Sequence, residues 1–299
     1  MIVKFFKRSK ANIIFDILNT VLLIGVCIII LYPLYFTIIA SVSDPVAINT
    51  GKVLIYPVGI NFKSYKMIFE DQRIWSGYGN TIRYTFFGTI IGLVLTIPAG
   101  YALSRQDFWG RGFIQKIMVF TMYFQGGLIP TYLVIQKLKL INTPYVLMLL
   151  GSFSVFNLII ARAFFETTIP VELQEAAEID GCNTARFFFS IVIPLSKAII
   201  AVIALYYVVG HWNSFFNALI YVSQERLYPL QLILRDLLLS SQSLVSSGMG
   251  DPETIREMES IAMTIKYGII IVASVPVLII YPFLQKYFVK GVMIGSIKG

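Results

Sequence analysis

Three glutamates recur at every third position in one polar stretch: Glu172, Glu175 and Glu178. Two small residues, Ala176 and Ala177, lie among them, and Asp180 and Gly181 follow. On a helix this spacing gives an acidic edge beside a surface that a partner can approach closely. Carboxylates presented in this way suit a groove lined with arginine, whose guanidinium pairs with them in a two-pronged geometry. The chemistry on offer is therefore recognition. A solvated charged face on a linker is the alternative that the helical pattern alone leaves open. Bond-making chemistry finds no support. The sequence has no phosphate-cradling Gly-rich Lys loop and no His/Asp/Cys constellation. One histidine, His211, and two cysteines, Cys27 and Cys182, give no metal-ligand spacing and no expected disulfide.

The elements that position these glutamates are legible. Pro170 suits the first turn of a helix, where a missing N–H costs little. Val171 to Ile179 are good helix formers. Asp180-Gly181 reads as a stop, because glycine takes the left-handed conformation that closes a helix. Asn183 can cap a second helix, and Pro194 opens the next apolar segment. The stretch reads as helix, Gly turn, helix. Phe187, Phe188 and Ile191 serve as anchors toward the membrane or the rest of the chain.

Around this stretch the chain is greasy. Of 299 residues, 57% are hydrophobic and 13% charged, and the mean hydropathy is +0.76. Soluble domains carry roughly 25% charged residues. Long apolar runs without strand alternation predict an all-α, polytopic membrane protein with six transmembrane helices. The net charge of +8 gathers near span ends, where it sets orientation and meets anionic lipid. No basic stripe with interleaved aromatics is present, so nucleic acid is not an expected partner.

The expected spans are 13–40, 80–103, 113–135, 144–165, 194–220 and 261–288. They form one transmembrane domain, 1–299, with the polar loop at 166–193 and a tail at 289–299. Lys4, Lys7, Arg8 and Lys10 precede the first run, which is too long for a signal-peptide core of about 7–15 residues. It reads as an uncleaved span. Lys286, Lys290 and Lys298 mark the other end, and both termini are expected in the cytoplasm. Ser41 to Tyr78 reads as an outer segment with a short amphipathic helix presenting Phe62, Tyr65 and Phe69. Ser223 to Ser260, with its SSGMGDPE run, reads as a second outer loop. Gly88 and Gly92 permit close helix packing inside the subunit. Gln125-Gly126-Gly127 and Pro130 break the third span; a bend beside a pathway and a packing kink are both open.

Glu175-Ala176-Ala177, Asp180-Gly181, Phe187, Ile191 and Pro194 resemble the EAA loop of bacterial ABC importer permeases, at the family spacing. The resemblance covers most of the chain. KGVMIGSIKG is similar to the tail of carbohydrate permeases of the maltose-type G subunit family. Gly210 to Asn217 is similar to the Trp-Asn segment of its fifth span, and Pro57 to Phe69 to its outer segment. Within that group the chain looks like the LplC/YtcP-like branch, which serves complex or acidic oligosaccharides.

The resemblance implies a type I ABC importer permease fold in the bacterial cytoplasmic membrane. It implies no cofactor and no catalysis, since the ATPase activity would reside in a partner. The partners implied are a second homologous permease, two cytoplasmic ATP-binding subunits and an extracytoplasmic solute-binding protein. Glu175, Ala176, Ala177, Asp180, Gly181, Phe187 and Pro194 would form the coupling element, with Glu175 meeting a basic residue of the ATPase. Gly295, Lys298 and Gly299 would touch the ATPase from the tail. Asn157, Tyr207, Trp212, Asn213 and Asn217 are candidates for the sugar path. Trp212 lies about 25 Å along a straight helix from Pro194, where an aromatic-belt role competes with pore contact. A gradient-driven transporter and a permease for a non-sugar solute are the alternatives; the first usually needs intramembrane ionisable residues.

Overall fold

The computed structural model describes residues 10–246, 262, 265–279 and 281–282, and among these every regular element is helical. The described residues fall into two compact units, one within 1–70 and 238–272, the other within 71–237 and 273–299.

In the first unit, α1 (Lys10–Ser41) is apolar on all sides and buries only its last turn, Ile39 to Ser41. A helix apolar all round needs lipid or another protein around it. Asp44 caps α2 (Pro45–Asn49) by accepting from the Val46 N–H at 2.8 Å. Val53 then folds back on Ile39 and Ala47. In α3 (Lys63–Glu70) the buried face is Ser64 and Ile68; Phe62 and Phe69 are exposed. A Cβ on Gly268 would lie 2.9 Å from the Ile68 side chain, so only a small face fits there. Tyr65 instead reaches sideways, its hydroxyl donating to Ser41 Oγ at 2.8 Å.

The second unit is built on α4 (Gln72–Ser104), which is apolar and long enough to cross a membrane. Its buried residues include Gly77, Thr81, Thr85, Gly88, Gly92, Thr96 and Gly100, a stripe of small residues at helical spacing. Small residues let backbones approach where no hydrophobic force drives helices together. Cβ atoms added at Gly88, Gly92 and Gly100 would meet His211, Tyr207 and Ala161 at 2.4, 2.8 and 2.9 Å. The stripe thus seats two helices of the same chain, α8 (Val155–Thr168) and α12 (Lys197–Trp212).

Three of the remaining expected spans, the third to the fifth, are interrupted. The second begins at Gln72 rather than 80, because Asp71 caps it by accepting from the Arg73 N–H at 2.9 Å. The third is α5 (Arg111–Tyr123) and α6 (Leu128–Lys137), bent by 111° at Gly127, whose φ is +83. The fourth is α7 (Pro144–Leu149) and α8, separated by a turn at Gly151, φ +87. The fifth does not start at Pro194. Pro194 lies in the short α11 (Ile193–Leu195), and the chain turns by 80° before α12. After Asn213 and Ser214 it resumes as α13 (Phe215–Tyr221). The sixth is described over Ile265–Ile279. Two unbroken helices pass the length and apolarity test for a span, or four segments if each bent pair is one span.

Ser223 to Ser260 is not a loop throughout. A 17-residue helix, α14 (Leu230–Ser246), fills its centre. Leu230, Leu232, Ile233 and Leu234 are buried, and the Leu230 N–H donates to Thr81 Oγ1 at 2.8 Å. The turn before it is tied to α4. The Asn80 amide donates to the carbonyls of Arg226 and Tyr228 at 2.8 and 3.1 Å, and the Tyr84 hydroxyl to that of Leu227 at 3.0 Å. Most of the SSGMGDPE run lies outside the described residues.

Candidate functional site

The polar stretch forms a helix, a glycine turn and a second helix. α9 (Val171–Ile179) follows Pro170 directly and ends on Gly181, φ +76. The Cys182 N–H donates to Ala177 O at 2.8 Å and the Gly181 N–H to Glu178 O at 3.0 Å. These two bonds satisfy the last carbonyls of α9, and the left-handed residue that makes both possible is best supplied by glycine. Asn183 then caps α10 (Thr184–Phe187), its side chain accepting from the Arg186 N–H at 2.8 Å. The helix widens into a π turn over Phe188–Val192, where the Ile193 N–H reaches back to Phe188 O. Pro194, exposed, follows at once. Proline lacks an N–H and its ring crowds the carbonyl four residues back, so a widened turn beside it relieves both problems.

One core ties this stretch to the long helices. Ala177, Phe187, Phe188 and Val192 pack with Ile97 and Tyr101 of α4, Phe165 of α8 and Ile203 of α12. Tyr101 is the hub: its ring meets Phe165 edge-on at 5.8 Å and Phe188 at 5.3 Å. On its opposite face α9 is open. Glu172, Glu175, Ala176 and Ile179 are all exposed, Ile179 at 87%, and they recur at the spacing of one helical face. Asp180 and Gly181 are exposed at its end.

The three glutamates are not equivalent. Glu178 accepts from the Gln174 amide at 2.8 Å and stands 3.7 Å from Arg105 Nη2. No partner is recorded for Glu172 or Glu175 among the described residues. Arg105, just past the end of α4, was not singled out by sequence. Its guanidinium grips Asp107 through Nε–Oδ1 at 2.8 Å and Nη2–Oδ2 at 2.5 Å. That grip holds the Asp107 carboxyl below its usual range and the Arg105 cation firmly charged. The Arg105-x-Asp107 pair is visible in sequence; its approach to Glu178 is not.

The sugar-path candidates are mostly committed within the chain. The Tyr207 hydroxyl shares a 2.6 Å hydrogen bond with Thr96 Oγ1 and accepts from the Ser154 N–H at 3.2 Å. Asn157 is buried in the first turn of α8, its N–H donating to Ser154 Oγ at 3.4 Å. Ser154 thus brings Tyr207 and Asn157 together. Trp212 is 3% exposed and its indole N–H donates to Ala273 O at 3.0 Å, so the aromatic-belt expectation is corrected. Its height along α12 stands; what differs is the face, which packs against Tyr78 and the Ala273 backbone. Asn213 is exposed at the end of α12, with its amide donating to Val209 O at 2.9 Å. Asn217, half-buried, lies on α13. Gly295, Lys298 and Gly299 lie outside the described residues. No group of His, Cys, Asp or Glu able to hold a metal occurs among the described residues.

Comparison with known proteins places this architecture. Residues 74–294 match the family described as binding-protein-dependent transport system inner membrane component. Protein LplC of Bacillus subtilis is 37% identical over 292 residues, 98% of this chain and 97% of that protein. The polygalacturonan/rhamnogalacturonan transport system permease protein YtcP of the same organism is 38% identical over 293 residues, 96% and 99% of the two chains. A chain from the crystal structure of a bacterial ABC transporter involved in the import of the acidic polysaccharide alginate superposes with a TM-score of 0.78 at 33% identity. That superposition covers 94% of this chain and 99% of the other. The all-helical unit built on α4, with the polar helix–turn–helix keyed into its core, is thus a type I permease fold, and the chain belongs to the family of inner membrane components of binding-protein-dependent ABC importers.

Proposed function

We propose that this chain is one of two homologous permeases that together form the pore of an oligosaccharide importer, and that α9 couples the pore to a cytoplasmic ATPase. The similarity to a polygalacturonan/rhamnogalacturonan permease and to an alginate importer points to complex or acidic saccharides as cargo. The chain crosses the membrane six times as a single transmembrane domain with both termini in the cytoplasm, among anionic lipids. A solute-binding protein delivers sugar at the opposite face, and two ATP-binding subunits dock at the face that carries α9. The tail residues Gly295, Lys298 and Gly299 reach the same interface.

The observation that carries this reading is the two-sidedness of α9. One face is keyed through Ala177 into the core shared by α4, α8 and α12. The other presents Glu175, Ala176 and Ile179, exposed among the described residues. A push on the open face is therefore delivered to the long helices. Glu175, without a recorded partner, is placed to meet a basic residue of the ATPase, and Gly181 sets the turn that orients it. A gradient-driven carrier gains no observation: among the described residues no aspartate or glutamate is buried.

The test is to tag the chain in its native host, solubilise gently and identify what co-purifies. An ATPase and a second permease are expected, and Glu175→Arg should lose the ATPase. Glu175→Ala should remain in the membrane, and importer carrying it should hydrolyse ATP through its ATPase subunits without import. Normal uptake in Glu175→Ala would sink the coupling role of α9.

A further inference from the structure

Arg105 is built into the structure more firmly than a surface charge. Its side chain is 13% exposed. Asp107 takes one edge of the guanidinium in two bonds, and Nη1 donates to the Tyr101 hydroxyl at 3.4 Å. Arg111 braces the same turn from behind, donating to the carbonyls of Ser104 and Arg105 at 3.5 and 3.1 Å. The same Nη2 that bonds Asp107 also stands 3.7 Å from Glu178 Oε1 on α9, an ion-pair distance. A cleft of about 280 Å³ separates the two elements, with Glu166 and Glu175 also on its walls.

We propose that Arg105 is a positioning residue that clamps α9 to the end of α4 through Glu178, so that α9 and the α4–α5 turn move as one piece. The proposal deepens the coupling role assigned to α9 and rests on it. Without the clamp, the contact of α9 with α4 among the described residues is apolar packing around Tyr101. Apolar contact is non-directional, so it resists separation better than sliding. A guanidinium already held by Asp107 fixes where the positive charge stands, so Glu178 is drawn to one place. Glu178 is 56% exposed, so the pair is screened and contributes little to resting stability. Its effect is on relative motion.

The clamp is read by spin labels at Ile179→Cys and Trp109→Cys, both highly exposed positions, in a Cys27→Ser/Cys182→Ser background of the full chain. Double electron–electron resonance gives the distribution of distances between α9 and the α4–α5 turn. Arg105→Gln and Glu178→Gln should each broaden it by about twofold, and the double variant no further, since both remove one interaction. Arg105→Lys keeps the charge but loses the two-bond grip of Asp107, so it should restore only part of the narrowness, and the melting temperature of Glu178→Gln should not move. Should Arg105→Gln fail to fold, the exposed Glu178→Gln reads the same contact. An unchanged distribution in Glu178→Gln, or additive broadening in the double variant, overturns the clamp. The width is measured without the ATPase, so it fails separately from the coupling role, which is read by ATPase recovery with Glu175→Arg.

Discussion

Gly92→Ala tests whether α4 is organised by close approach. A Cβ at position 92 would stand 2.8 Å from two ring carbons of Tyr207 and 2.9 Å from Ser152 O. Ordinary contact begins at 3.4 Å, so the neighbours must yield by about 0.6 Å. Neither yields easily. The Tyr207 ring is held at its hydroxyl by Thr96 and by the Ser154 N–H, and Ser152 O is backbone. Overpacking of this kind costs about 1–3 kcal/mol, and two rigid neighbours put it in the upper half of that range. The gain in helix propensity offsets about 1 kcal/mol, leaving a net loss of about 1–2 kcal/mol. Gly79→Ala is the matched control on the same helix: a Cβ there meets nothing within 4 Å. It should stabilise by about 0.5–1 kcal/mol. At roughly 2–4 °C per kcal/mol, the two variants should melt about 5–10 °C apart, Gly92→Ala lower, by differential scanning fluorimetry in one detergent. Adding Tyr207→Ala should relieve part of the Gly92→Ala loss, because the two residues share one contact. If Gly92→Ala melts at or above Gly79→Ala, the small-residue stripe is not what sets the spacing of α4 and α12.

Two further outcomes follow from local chemistry. Asn183→Ala removes the cap of α10 and should cost about 1 kcal/mol, seen as faster amide exchange over Thr184–Phe187 with α12 unchanged. Asp71, bonded to Arg73, has its carboxyl lowered below the usual value. A lowered folded-state value means the ionised form adds stability above about pH 4, lost as pH falls further. Asp71→Asn should therefore melt below the wild type at pH 7, and the gap should be narrower at pH 3. An equal gap at both values would show that the charge plays no part.

Much of the site is written locally, and so it was legible. Helix, Gly turn and capped second helix over 170–187 depend on bonds between residues at most five apart, and the signals for them are the residues themselves: Gly181 for the left-handed turn, Asn183 for the cap. The apolar character of α1 and α4 is likewise set by composition alone. The family followed from the same stretch, because its spacing is specific. Where segments bend was harder. Gly127 and Pro130 gave a visible break, but the 80° turn between Leu195 and Lys197 has no glycine to mark it. Tertiary structure also decided that Ser223 to Ser260 holds α14. Its leucines bury against α4, whose Gly77 and Thr81 admit the Leu230 backbone, a fit between segments far apart in the chain.

The acidic edge shows the division most clearly. In sequence Glu172, Glu175 and Glu178 are equal, since their spacing is all that distinguishes them from a random charged helix. The fold makes them different by bringing Arg105 to Glu178 and leaving Glu175 open. Likewise Tyr207 and Trp212 read as sugar ligands by residue type, yet their polar atoms are engaged by Thr96, Ser154 and Ala273, and Asn157 is buried. Local hydrogen bonding and hydropathy are properties of a short stretch of chain, so sequence alone determines them. Which polar group finds an internal partner depends on close approach between distant segments, and only the packed structure decides that.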